Sequence, residues 1–383
     1  MEKLTSRERV RLAIAHQEPD RVPIDMVPMV QTYINLKEYL GIEIEEELNP
    51  GGWTTVPVHP VVMDRLGLDI VHVAPGKPKN WTPRTFPDGS VEDEWGVRRK
   101  MVWHGTSYYN EIVYQPLVDA TIDDLKDYPW PDPDDPGRTE GLAERVKKIY
   151  EETDYAIMAR FGGSVNDGCW YMRGQEQWLM DYVLNQDFVE TMLDKMLDIT
   201  LRINENCLRA AGKYIDILRL GGEDMGTQQN LIISPEMLRK IWFPRLKKLV
   251  QRTKEIFHEY NPNGKIMLHS CGAIYPIIED LIDCGIDILD PIQPKAKGMD
   301  PFRLKAEFGD RLAFHGGICI QDVLPNYEPE EVVEFVKERL RALAPGGGYI
   351  VSPSHNVPED SKPENLTAMC DAVREYGRYP LQI

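Results

Sequence analysis

No stretch of this chain approaches the roughly 20 consecutive apolar residues that a bilayer-spanning helix requires, so a membrane role is not expected. Cysteine is scarce: there are six residues and no Cys-x-x-Cys pair. That spacing signals no disulfide framework and points to a reducing, cytoplasmic setting. Positive charge is in deficit, with 44 Lys and Arg against 62 Asp and Glu, for a net charge of −18. Nonspecific nucleic-acid binding, which needs a basic face, is excluded. A polyanionic substrate is disfavoured, unless a local basic pocket overrides the total. Neither a Gly-x-Ser-x-Gly elbow nor a His-Glu-x-x-His helix occurs. The glycine-rich residues 345–349 precede a strand-like run where a nucleotide loop would follow one. The N-terminal residues have no signal-peptide h-region. They read as a helix, with Thr5-x-x-Glu8 as capping box and Pro19 as stop.

What the chain does have is ordinary globular composition over 383 residues, 42% hydrophobic and 28% charged, ample for a large core. Eight short β-branched or apolar runs recur, at 22–30, 68–75, 155–163, 215–223, 265–272, 286–294, 312–318 and 349–357. Amphipathic stretches separate the later ones. One opens at Ser234-Pro235, as an N-cap and N1 pair. Another closes at Gly285. Near-continuous apolar strands alternating with helices indicate a parallel sheet buried on both faces. Eight units predict an α/β fold of the (β/α)8 TIM-barrel type, a single domain over 1–383. The rhythm breaks once, between the second and third runs. There, residues 76–150 are predicted to be an insertion, a flap carrying a hairpin with Asp88-Gly89 as its turn.

In barrels of this kind, chemistry sits at the C-terminal strand ends. The fourth run ends in Glu223-Asp224 and the fifth in His269 and Cys271. The sixth ends near Gln293, the seventh carries His315, and the eighth ends at His355. Residues two apart on a strand share a face, so His269 and Cys271 can both point into the mouth. Imidazole and thiolate are strong donors for Zn²⁺. His355 is the best third ligand. Glu223 or Asp224, water or substrate completes the set, and three protein ligands with an open position suit a catalytic zinc. Burial as ordinary packing residues is the alternative reading of the same side chains. His72 and His315 read more readily as hydrogen-bonded wall residues. Arg173 reads equally as a bidentate grip on a substrate carboxylate and as a structural ion pair. Trp170 and Tyr171 read as an aromatic wall or as core. The other cysteines read as apolar fillers.

The segments beginning LTSRERVRLAIAHQEPDRVP, GGEDMGTQQNLIISPEM, LHSCGAIYPIIEDLIDCG and FHGGICIQDVLPNYEPEEV, together with SPSHNVP, resemble the uroporphyrinogen decarboxylase superfamily nearly end to end. The resemblance implies a single (β/α)8 barrel and one of two chemistries. The metal-free porphyrinogen decarboxylases carry an arginine-rich segment after the first strand. Here that position reads MVQTYINLKEYL, without arginine. The zinc-dependent corrinoid methyltransferases carry His-x-Cys after the fifth strand, matched by His269 and Cys271, and a further cysteine on the last strand, where His355 stands here. The resemblance therefore implies a methyltransferase with Zn²⁺ at His269, Cys271 and His355, and Glu223 as a further acidic ligand. Glu223 and Asp224 are the candidate catalytic acids. Arg173, Tyr171, Gln293 and His315 are the candidate substrate contacts. The expected partners are a small O-methyl donor and a cobalamin-carrying protein, with a homodimer as the family-level expectation. A metal-independent decarboxylase acting on a smaller acid, and a noncatalytic binding subunit, remain the rival readings.

Overall fold

The computed structural model describes residues 4–46, 48, 55–104 and 108–383. Seven of the eight predicted runs form strands: β1 (Ile70–Val73), β6 (Ala156–Ala159), β7 (Ile217–Gly222), β8 (Lys265–His269), β9 (Ile288–Ile292), β10 (Ala313–Ile318) and β11 (Tyr349–Pro353). They make one curled, wholly parallel sheet in the order β1-β6-β7-β8-β9-β10-β11. Between β1 and β6 in the chain lie β2 (Arg84–Thr85), β3 (Val91–Glu92), β4 (Arg98–Trp103) and β5 (Tyr108–Tyr114), a separate four-stranded sheet whose neighbours all pair antiparallel. The Asp88-Gly89 turn joins β2 to β3, with Gly89 at φ +82°. β5 was not anticipated.

The first predicted run, 22–30, forms isolated bridges instead of a strand. Pro23 and Pro28 lack the N–H that a ladder needs. The segment still bonds both edges of the sheet. Asp25 N–H donates to Val351 O at 2.9 Å and Val351 N–H to Pro23 O at 2.9 Å. On the other side, Asp69 N–H donates to Ile24 O at 2.9 Å.

Alternation along the strands sorts the interior into layers. Ile70, Met158, Ile217, Met267, Ile288, Ala313 and Ile350 form an apolar cluster inside the curl. Val10 and Ile14 of the first helix (Ser6–Ile14) join that cluster. Two residues further along the same faces, the composition turns polar: His72, Arg219, His269, Asp290, His315 and Ser352. The fold therefore builds an oily floor and a charged mouth from one repeated pattern. Outside the sheet, helices such as Gln186–Ala211 bury an apolar stripe that includes Phe188, Met192 and Met196.

The local signals for helix ends are visible. Thr5 and Glu8 form the reciprocal cap, although the helix stops at Ile14, ahead of Pro19. Ser234 accepts from Met237 N–H, and Gly285 closes its helix at φ +98°. The stretch 234–260 is broken into Pro235–Ile241 and Phe243–Tyr260, because Pro244 cannot donate into a continuous helix.

Asp69 pins this arrangement. It is buried, pairs with Arg9 at 2.6 Å and Arg21 at 2.8 Å, and accepts from Ile24 N–H at 2.8 Å. Asp69→Ala leaves the buried Arg9 with Asp20 as its only carboxylate partner among the described residues. The expected cost is about 3–5 kcal/mol, read from the urea unfolding midpoint. A change below about 1 kcal/mol would show that the segment 23–25 is held by something else.

Candidate metal centre

His269 is the last residue of β8, and Cys271 follows it two positions on. His355 lies two residues past β11. The curl of the sheet brings these strand ends together. One donor atom from each of the three residues lies within 4.8 Å of the others. Cys271 Sγ is 3.3 Å from His269 Nε2, and the rings of His269 and His355 meet edge to face at 5.5 Å. Zn–N and Zn–S bonds of about 2.0–2.3 Å in a tetrahedron place ligand atoms about 3.3–3.8 Å apart, so small side-chain rotations suffice. His355 is held neutral, as a ligand must be: burial first, and the neighbouring His269 second, push it down to about 4. Burial, with Asp224 and Asp290, pushes the Cys271 thiol up, which a bound cation would reverse. The donor set fits a divalent ion of the zinc type.

Behind the donors stands Asp290, from β9. It is buried, and its carboxylate meets His269 Nδ1 at 2.6 Å, His315 Nδ1 at 2.7 Å and Arg219 Nη2 at 3.1 Å. Burial alone would raise its pKa. His269, His315 and Arg219 outweigh that and hold it well below the usual carboxylate range. An ionised carboxylate only accepts, so His269 donates from Nδ1 to Asp290, which leaves Nε2 facing Cys271. This carboxylate–imidazole pairing is what orients metal-binding histidines. The chain of contacts continues: His315 Nε2 meets Asp25 at 3.0 Å, and Asp25 meets His72 at 2.9 Å.

The sequence profile of the uroporphyrinogen decarboxylase (URO-D) family matches residues 108–376. The chain belongs to the uroporphyrinogen decarboxylase family. It is 22% identical over 191 residues to a uroporphyrinogen decarboxylase of Magnetococcus marinus, covering 49% of this chain and 48% of that one. It is 23% identical over 209 residues to the methylcobamide:CoM methyltransferase MtaA of Methanosarcina barkeri, covering 54% and 57%. The chain thus spans about half the length of the curated relatives it matches. A solved methyltransferase from Methanosarcina mazei shares its fold over 97% of this chain and 99% of the other, with a TM-score of 0.65 at 19% identity. Among the described residues, no helix is long and apolar enough to cross a membrane.

Within this family member, the structure separates the candidate residues. Glu223, expected as a metal ligand and a catalytic acid, lies outside the three-donor cluster. Both its oxygens accept backbone N–H groups, from Val165 at 2.5 Å and Asn166 at 2.8 Å, at the start of helix Asn166–Arg173. The cause is a bulge in β7. Arg219 pairs with Met267, but Gly222 pairs with His269, so three steps on one strand face two on the other. The slip reverses which side chains point inward. Asp224 therefore takes the place beside the donors. Its Oδ1 accepts from Cys271 N–H at 2.8 Å and lies 3.7 Å from His269 Nε2.

Arg173 is the structural ion pair of its two readings. It is buried, pairs through Nε with Asp181 at 2.7 Å, and donates through Nη1 to the carbonyls of Leu117, Val118 and Ala120. Gln293 accepts from Gly272 N–H at 2.8 Å and positions the loop after Cys271. His315 is a wall residue between two carboxylates, and Tyr171 lines a cavity of about 250 Å³. Asp290, Asp25 and Arg219 were missed. A lone Asp inside an apolar run, as in IDILD and VPID, was the available signal. Asp167 was missed as well. It is buried, and burial first, then Asp224, push it up to about 7.

His315 gives a pH test. Burial would lower its pKa, but Asp290 and Asp25 prevail and hold it at about 9, against 6.5 unperturbed. A raised pKa stabilises the fold fully below the unfolded value and loses that contribution as pH rises through the folded one. Metal-free protein should therefore lose on the order of 3 kcal/mol between pH 6.5 and pH 9, measured by urea unfolding at each pH. His315→Gln should remove this slope. An unchanged slope in that variant would place the titration elsewhere.

Proposed function

We propose that this chain is a zinc-dependent methyltransferase that moves a methyl group from a small O-methyl aromatic compound to the cobalt of a corrinoid protein. The observation that carries the reading is the convergence of His269, Cys271 and His355, from separate strand ends, within one ion's reach. The likeness to a methylcobamide methyltransferase supports it, as does the absence of arginine among residues 30–40, where the porphyrinogen decarboxylases carry their carboxylate grip. In this reading, the seven strands and the segment 23–25 make a closed (β/α)8 barrel, one domain over 1–383. Residues 76–150 are its flap, and the cytoplasm is its compartment.

Methyl transfer breaks the O–CH₃ bond. The oxygen keeps the electron pair and must be stabilised and then protonated. Zinc held by His269, Cys271 and His355 supplies Lewis acidity at that oxygen. Asp290 fixes His269 with Nε2 toward the site, so the imidazole pays no reorientation cost on binding. Asp224, whose Oδ1 lies 3.7 Å from His269 Nε2, is the carboxylate proposed to complete the ligand set. Asp167 sits directly behind it, with Asp224 N–H donating to Asp167 Oδ1 at 3.1 Å. A carboxyl group poised near neutrality is suited to deliver the proton the oxygen needs.

Cys271→Ala should lose both metal, by elemental analysis, and methyl transfer to reduced cobalamin. Full zinc content in that variant would overturn the ligand assignment. Asp290→Asn should keep the ligands but lower zinc affinity by roughly 10–100-fold, measured by competition with a chromophoric chelator. Protein that purifies without stoichiometric zinc and releases CO₂ from a carboxylic acid would instead favour the metal-independent decarboxylase.

A further inference from the structure

The remaining unexplained charge at the mouth is Arg160, the first residue past β6. Its side chain is exposed to solvent, yet it lines the 250 Å³ cavity with Asp93, Trp95, Arg99, Ser164 and Tyr171. The other arginines near it are paired. Arg99 bonds Asp93, and Arg219 bonds Asp290. Among the described residues, no carboxylate or carbonyl oxygen accepts a hydrogen bond from the Arg160 guanidinium. Its guanidinium is left free to pair with an anion that enters the cavity, and Arg binds carboxylates through two parallel hydrogen bonds.

The rest of the cavity describes the ligand. Trp95 and Tyr171 supply flat aromatic wall, and Met172 and Met196 supply soft apolar wall. A cavity of about 150 Å³ holds benzene, so 250 Å³ leaves room for a ring with two small substituents. Ser164, one of the lining residues, also faces Gly222 at the edge of the candidate metal centre. Around the point where a Cβ on Gly222 would stand, His269 Cδ2 lies at 3.5 Å, Asp167 Oδ2 at 3.6 Å and Ser164 Oγ at 3.9 Å.

We propose that the substrate is an aromatic carboxylic acid bearing a methoxy group, whose carboxylate is anchored by Arg160 and whose ring lies against the wall that Trp95 supplies. The placement of the methoxy group toward His269 rests on the methyl-transfer reading; the anion anchor does not. The net charge of −18 makes the point sharper, because only a local cation can admit such a ligand.

The test is equilibrium binding by calorimetry, with 4-methoxybenzoate and its uncharged isostere 4-methoxybenzamide as probes. Wild-type protein should bind the acid at least tenfold more tightly than the amide. Arg160→Gln should abolish that preference while leaving the amide's affinity and the thermal midpoint unchanged, and Arg160→Lys should keep part of it. Equal binding of the two probes to wild type, a preference that survives in Arg160→Gln, or no binding of either probe at millimolar concentration overturns the proposal. Binding needs neither zinc nor corrinoid, so Cys271→Ala should retain the preference. Acid binding without any demethylation would defeat the methyl-transfer reading and leave the Arg160 assignment standing.

Discussion

The mouth of this molecule depends on one buried carboxylate. Asp290 is shared by His269, His315 and Arg219, which come from three different strands. Buried, it is stable as an anion only because all three partners are in place. In return it fixes the tautomer and ring plane of His269, and ties β7, β8, β9 and β10 together at the level where the donors converge. The geometry of the candidate metal centre is thus a consequence of satisfying a buried charge. Three flexible side chains that merely happened to be near one another would pay conformational entropy to assemble.

A second constraint acts through the backbone. The bulge in β7 inserts one residue opposite β8, and the inward-facing set changes parity after it. Glu223 is turned out to hold the start of the helix Asn166–Arg173, and Asp224 is turned in beside Cys271. Two adjacent acids of similar chemistry acquire opposite roles from one unpaired backbone position. Bulges recur beside active sites because they re-aim side chains without moving the strand.

Charge is distributed with the same economy. The chain as a whole is acidic, yet Arg99, Arg160 and Arg219 gather around one strand-end cavity and its neighbours. Two of the three are neutralised by Asp93 and Asp290. The third lines the cavity exposed to solvent and, among the described residues, donates to no carboxylate or carbonyl.

Seven strands, the helix caps at Thr5 and Ser234, and the stop at Gly285 were legible in the sequence, because each is set by neighbours within a few residues. So was the convergence of His269, Cys271 and His355, because a period-2 pattern and strand-end placement suffice to put the residues near one another. The reduction of the run 22–30 to bridges was legible in principle from Pro23 and Pro28. The role exchange between Glu223 and Asp224 was not, since a bulge depends on the pairing partner and leaves no mark on its own strand. Nor was the division between the paired Arg173 and the free Arg160. Both follow the same strand, and only the three-dimensional packing decides which guanidinium finds an acceptor. The sequence by itself determined the alternating units and the chemistry available at their ends, because periodicity is local. Tertiary structure alone decided which of those groups are spent on one another and which are left for a ligand, because that accounting runs across strands far apart in the chain.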